Sequence, residues 1–162
     1  MLKSTASRIG VGCLAAALAT AQAIALDGPE EPVRAIYRHG QPDTVQEADR
    51  FLARDVARRY KVDLLDNEPQ PSTDFDWRYG SQEYEVTDLV VGRAVDLPPV
   101  DGVIMRDVPV SFRSFNQGPY TVTWTLCLGR RGWRVANVRS SDTGGGWNLR
   151  EMLELTDDKV QC

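Results

Sequence analysis

A single histidine, His39, serves the whole chain. With no second imidazole to join it, the common zinc sets and the Ser-His arrangements of nucleophilic catalysis have no basis, and His39 reads as an exposed residue at a helix end. Cysteine is nearly as scarce, three in all, with Cys13 inside an N-terminal apolar run and only Cys127 and Cys162 beyond it. Two cysteines with no histidine nearby make an incomplete metal site. Asp74 and Asp76 are too few oxygen ligands for calcium. The glycine-rich Asp142–Gly146 has neither Gly-Lys-Ser/Thr nor a spaced GxGxxG, so it reads as a flexible connector and not as a phosphate loop. No apolar run reaches the length of a comfortable membrane span. Internal repeats and low-complexity stretches are absent, and no cofactor or metal is expected.

What is present begins with an address. Lys3 and Arg8 precede an apolar, alanine-rich stretch from Ile9 to Thr20, and small residues at Ala21, Ala23 and Ala25 close it. Residues 1–25 therefore have the form of a secretory signal peptide, cut after Ala25 or after Ala23. The expected product is periplasmic or secreted, without stable membrane insertion. At 162 residues and 42% hydrophobic, the chain suffices for one compact domain, 26–162. Removing the leader turns a formal charge of −4 into −6, with 17 basic against 23 acidic residues. Such a balance repels nucleic acid and anionic membrane surfaces. An even cysteine count in an exported chain suggests a disulfide between Cys127 and Cys162, two separate thiols being the other reading. Closing a loop of about 36 residues would contribute on the order of 3 to 4 kcal/mol in the chain-entropy picture.

Periodicity gives the elements. Tyr120 to Leu128 alternates strictly, with Tyr120, Val122, Trp124, Leu126 and Leu128 on one side, which predicts a half-buried strand. Gly129-Arg130-Arg131-Gly132 turns it into a returning strand from Trp133 to Ser140. There a bulge near Asn137 would bring Trp133, Val135, Ala136 and Val138 all to the core. Asn148 with Glu151 predicts a capped short helix over Leu149, Met152 and Leu153. Upstream, Pro32 to Gly40 reads as a helix carrying Val33, Ile36 and Tyr37. A longer helix runs from Thr44 to about Tyr60, with Arg50, Arg54 and Arg58 one turn apart and Asp49 and Asp55 between them, a solvated face. Asn67 to Ser72 is a linker. Glu85 to Leu97 is a strand ended by Pro98-Pro99, and Gly102 to Phe115 is another, at an edge or bulged at Pro109. The expected fold class is α+β: a curved four-stranded antiparallel sheet packed on N-terminal helices, with a short C-terminal helix.

The stretch from Thr73 to Tyr84 holds four aromatics and three acids. It reads either as a plug for the open end of the sheet or as a pocket rim built from Trp77, Tyr79 and Gln82.

Phe75-Asp76 with Gln82, Val108-Pro109-Val110-Ser111-Phe112, Gly132-Trp133-Arg134-Val135 with Val138, and Asn148-Leu149-Arg150 with Leu153 occur in an order that resembles small exported bacterial domains of unknown function in the nuclear transport factor 2-like superfamily. The resemblance spans most of the chain after the leader. It implies a sheet wrapped over helices as a cone with a pocket at its open end. Some members are isomerases or dehydratases that use pocket Asp, His or Tyr residues. Others only bind, or dimerise through the concave sheet, so a homodimer is among the implied assemblies.

Three functions follow as expectations. The first is a non-enzymatic exported binding domain for a small apolar ligand entering between Tyr37, Trp77, Tyr79 and Trp124, with Gln82 as a polar handle. The second is a protein-interaction module, such as an inhibitor or immunity-type factor for a secreted enzyme, with an envelope protein as partner. The third is a small isomerase or dehydratase using Asp76, Asp88 or Asp96, though no acid-base pair is recognisable on one strand face.

Overall fold

The computed structural model describes residues 28–143, 145–156 and 158–162. The expected leader, with its cuts after Ala23 or Ala25, lies outside them. The class is α+β as the periodicity implies, with an open, wholly antiparallel sheet and a few helices.

The first helix, α1 (Glu30–His39), carries Glu30 and Glu31 in its first turn and Arg38 and His39 in its last, matching the helix dipole at both ends. Gly40, at φ 112°, ends it. The long helix expected from Thr44 is instead two, α2 (Val45–Phe51) and α3 (Arg54–Leu65). Thr44 does cap the start, accepting the Glu47 N–H at 3.2 Å. The break falls at Leu52 and Ala53, where neither glycine nor proline announces it. Leu52 bridges Val135 in parallel, and the Ala53 N–H donates to the Val135 carbonyl at 2.8 Å. Strand hydrogen bonds replace the helical ones given up, and both residues are buried. The proposed linker likewise contains a short helix, α4 (Pro71–Asp74), whose buried Ser72 hydroxyl donates to Asp63.

Among the described residues the sheet has six strands where four were expected: β1 (Val86–Val91), β2 (Val95–Val100), β3 (Val103–Ser114), β4 (Gln117–Gly129), β5 (Gly132–Ser140) and β6 (Trp147–Asn148). The expected Glu85–Leu97 strand is divided, because β1 pairs with the far half of β3 and β2 with its near half. The gap falls opposite Pro109, which has no N–H to offer, and Gly92 closes it by donating to the Pro109 carbonyl at 2.8 Å. Pro98 and Pro99 do not end the strand. They lie within β2 on the sheet's outer edge, where missing donors cost little. Asp101-Gly102 and Phe115-Asn116 then make two-residue turns with both φ positive, at 49° and 76° and at 49° and 61°.

Between Thr125 and Leu126 the β4–β5 register slips by one residue, the bulge expected near Asn137. Trp133, Val135, Ala136 and Val138 are consequently all buried. One sheet face, carrying Val108, Val110, Phe112, Val122, Trp124 and Leu126, meets Val33, Ile36, Val56, Tyr60 and Trp77 in a single core. Full burial of each such side chain contributes about 1.5–3 kcal/mol. Thr125 and Cys127, of opposite phase, are buried as well. The chain's last residues return over that face, and Cys162 joins Cys127 in a disulfide with its Cα atoms 5.9 Å apart.

Arg150, in the capped helix α5 (Leu149–Met152), holds this return in place. It is 2% exposed, and its guanidinium donates to the carbonyls of Thr156 (3.0 Å), Lys159 (2.7 Å) and Ala136 (3.3 Å) and to Asp55 Oδ2 (2.9 Å). Arg54, at the start of α3, completes the attachment by donating its N–H to the Gln161 carbonyl at 2.7 Å.

Candidate functional site

Four of the five residues proposed for a pocket come together, joined ring to ring. Tyr37 lies 5.6 Å from Tyr79 and 5.5 Å from Trp124, and Trp124 lies 5.3 Å from Trp77, centroid to centroid. Edge and tilted contacts of this kind add about 0.5–1.5 kcal/mol each beyond area burial. The Tyr37 hydroxyl donates to the Arg78 carbonyl at 2.6 Å and accepts from Trp124 Nε1 at 3.4 Å. Burial drives the Tyr37 phenol well above its ordinary pKa, the Trp124 contact offsetting only part of that rise. Trp77 and Trp124 are fully buried, so they form the wall behind a site and not its lining. Gln82 stands in an exposed loop, its amide donating to the Asp74 carboxylate at 3.0 Å.

The aromatic chain reaches the surface at Tyr79. Its ring is 5.5 Å from Phe112, which continues to Tyr120 at 6.1 Å. These three, with Phe115, form the apolar side of a cavity of about 290 Å³ at the end of the sheet where β3 turns into β4. Phe115 is the odd residue among them. It is bulky, it takes the left-handed φ of 49°, and it remains 52% exposed. A side chain in that conformation costs roughly 1–2 kcal/mol, and outliers of this kind cluster where function maintains them.

The polar side is acidic. Glu83 and Asp142 line the cavity together with Ser81, Gln117 and Thr143, and among the described residues neither lysine nor arginine does. Asp142 is fixed by the Thr121 N–H at 3.2 Å, and Thr143 accepts from Trp147 Nε1 at 3.0 Å. The Gln117 carbonyl oxygen accepts from the Tyr120 hydroxyl at 3.2 Å. Ser81 donates to the Glu83 carbonyl and not to a base. What these groups can do is stack on a flat ring and accept hydrogen bonds from its edge.

Sequence reasoning found Tyr79 and missed the remainder of the lining. Phe112 and Phe115 fall within the strand read over Gly102 to Phe115, and a Phe-Asn pair between two strands was a usable sign for the turn at Phe115. Asp142 and Thr143 arrive from the other end of β5, and no local pattern places them there.

The carboxylates considered for isomerase chemistry stand apart. Asp76 pairs with Arg78 at 2.7 Å and Asp96 with Arg106 at 2.7 Å, while Asp88 lies in the β1 irregularity between Thr87 and Val90. Among the described residues no group of three or more His, Cys, Asp and Glu side chains could hold a metal ion. No helix among them is long and apolar enough to cross a membrane.

A second cavity, of about 210 Å³, opens on the opposite sheet face between Leu97, Met105, Val160 and Arg139. Its charges satisfy one another: Arg139 binds Asp107 at 2.6 Å, and Thr125 donates to the same carboxylate at 2.7 Å. No family model, curated protein or solved structure matches the chain.

Proposed function

We propose that the chain is an exported, non-enzymatic binding domain whose end cavity accepts one small ligand, flat and apolar on its face, carrying hydrogen-bond donors at its edge, and neutral or cationic. The strained, exposed Phe115 beside the Tyr79–Phe112–Tyr120 wall carries this reading. An aromatic held in an unfavourable conformation at a rim gains nothing for the core. The two lining carboxylates disfavour anions. A volume of about 290 Å³ is at the lower end of ligand sites, which span roughly 300–1,000 Å³, and restricts the occupant to one or two rings. The cone-like wrapping of sheet on helices shared by nuclear transport factor 2-like domains fits such an end pocket. The disulfide supports export, since the cytosol keeps thiols reduced.

Trp147 reports on the site through its bond to Thr143. Neutral and cationic ring compounds should shift its fluorescence, anionic analogues should not, and Phe115→Ala should weaken the response. Equal binding of anionic and cationic analogues, or no response to any of them, would refute the proposal.

A protein-interaction module is the second reading, resting on the edge strands. Val90 and Val95 are 57% and 58% exposed on β1 and β2, which among the described residues pair only with β3. Val90→Lys with Val95→Lys should abolish any self-association or partner binding seen by sedimentation; retention of a complex by that variant would reject the edge as the contact.

A further inference from the structure

The arginines Arg50, Arg54 and Arg58, spaced one turn apart with acids between, promise a self-neutralising face. The fold removes the acids. Asp49 is occupied by Lys61 at 2.7 Å, and Asp55 by buried Arg150 at 2.9 Å. The interruption at Leu52 and Ala53 sets Arg54 at the mouth of a cavity of about 350 Å³ beside the β4–β5 turn. Arg130, Arg131 and Arg134 line the same cavity, and Leu128 and Cys162 belong to its wall. Arg50 is close enough to act on Arg134 through space, as is Arg131. None of these five arginines makes an ion pair with a carboxylate among the described residues. Arg134 has a further deficit: Nη1 donates to the Trp133 carbonyl, but Nε is buried without a partner. A chain of net negative charge thus gathers four guanidinium groups without a carboxylate ion pair among the described residues, from α3 and β5 with its turn, around one opening.

We propose that this cavity is an anion site for a phosphate-bearing ligand. Guanidinium forks match tetrahedral oxyanions with paired charge-assisted hydrogen bonds, and several of them converging on one point suit a group of at least two negative charges better than a single carboxylate. Arg54, the first residue of the 12-residue α3, contributes its side chain to the opening, its N–H being taken by the Gln161 carbonyl at 2.7 Å. The site lies at the other end of β4 from the acidic mouth, about 40 Å along the strand, so it binds independently of whatever occupies that mouth.

Isothermal titration of the folded, oxidised protein with pyrophosphate at low ionic strength should show saturable binding that weakens as salt rises. Vesicles of phosphatidylglycerol, against phosphatidylcholine, distinguish a lipid phosphate from a soluble one. Arg134→Gln should weaken binding by at least about tenfold, and Arg131→Gln, on the exposed turn where folding is not at stake, should weaken it in the same direction. Arg113→Gln, on a different part of the sheet, should leave it unchanged. Binding of either probe that is lost in the two cavity variants supports the site, and the probe that binds names the source. Binding of neither probe, or equal binding by the Arg131, Arg134 and Arg113 variants, overturns it.

Discussion

Replacing Arg150 by alanine should cost the fold several kcal/mol. Arg150 is 2% exposed, and its guanidinium donates to Asp55 Oδ2 and to the carbonyls of Ala136, Thr156 and Lys159. Deleting one member of a buried ion pair costs about 3–5 kcal/mol, because the other charge stays behind without its partner. The carbonyl losses do not simply add to this. Thr156 and Lys159 are exposed residues, so water can replace the arginine there, whereas the Ala136 carbonyl has little access to water. For a domain of this size the loss corresponds to a fall in Tm of about 10–20 °C. Urea denaturation of Arg150→Ala, Asp55→Ala and the double variant measures the parts separately. The double variant should be more stable than the sum of the single losses implies, by about 0.5–3 kcal/mol. It should still fall below the parent protein, because no side-chain change removes the Ala136 carbonyl. A loss under about 1 kcal/mol for Arg150→Ala, or strict additivity in the cycle, would refute the clamp.

Reducing Cys127–Cys162 should remove about 3–4 kcal/mol by freeing the loop between them. In the Arg150→Ala background reduction should also expose the last residues to limited proteolysis; resistance there would show that the tail is held by other means. Gly80→Ala would place a Cβ 2.1 Å from Thr143 Oγ1 and 2.5 Å from Trp147 Nε1, at a φ of 68°. It should lower stability by about 2–4 kcal/mol and shift tryptophan fluorescence, so an unchanged Tm would contradict the packing at the mouth. Burial raises the pKa of Tyr37 and Tyr60 in the folded state above the unfolded value near 10. Below pH 10 both states hold these protons and stability is flat. Above it the unfolded chain loses them first, and stability should fall by about 1.4 kcal/mol per pH unit for each group. Tyrosinate absorbance should therefore show these two phenols ionising only together with unfolding; free titration before it would refute their burial.

The sequence made the central hairpin legible because its signals were local. Strict alternation over Tyr120–Leu128 marked one strand, and the doubled phase of Val135 and Ala136 marked the bulge. The disulfide followed from a count of two. The break at Leu52 was illegible because its cause is 83 residues away, at the Val135 carbonyl. The division of the first strand had a sign, Gly92, that becomes informative only once Pro109 is known to stand opposite. Arg150 entered the reading only within the pattern Asn148-Leu149-Arg150 at the start of a short capped helix. Its burial depends on a tail that returns to the sheet, which no window of the sequence contains. Of the candidate site's lining only Tyr79 was legible, for the same reason: it belongs to a conspicuous aromatic segment, while Asp142 and Thr143 reach the site only through the length of β5.

The contact of Leu52 and Ala53 with Val135 also bears on how copies of this molecule could stack. It occupies the free edge of β5 at Val135, and β6 covers the far end, so among the described residues the long unpaired rim is that of β1 and β2. Growth of a fibre by strand addition needs two open rims per subunit, one to receive and one to offer. With one long rim among the described residues, joining by that route consumes it in a two-fold pair and then halts.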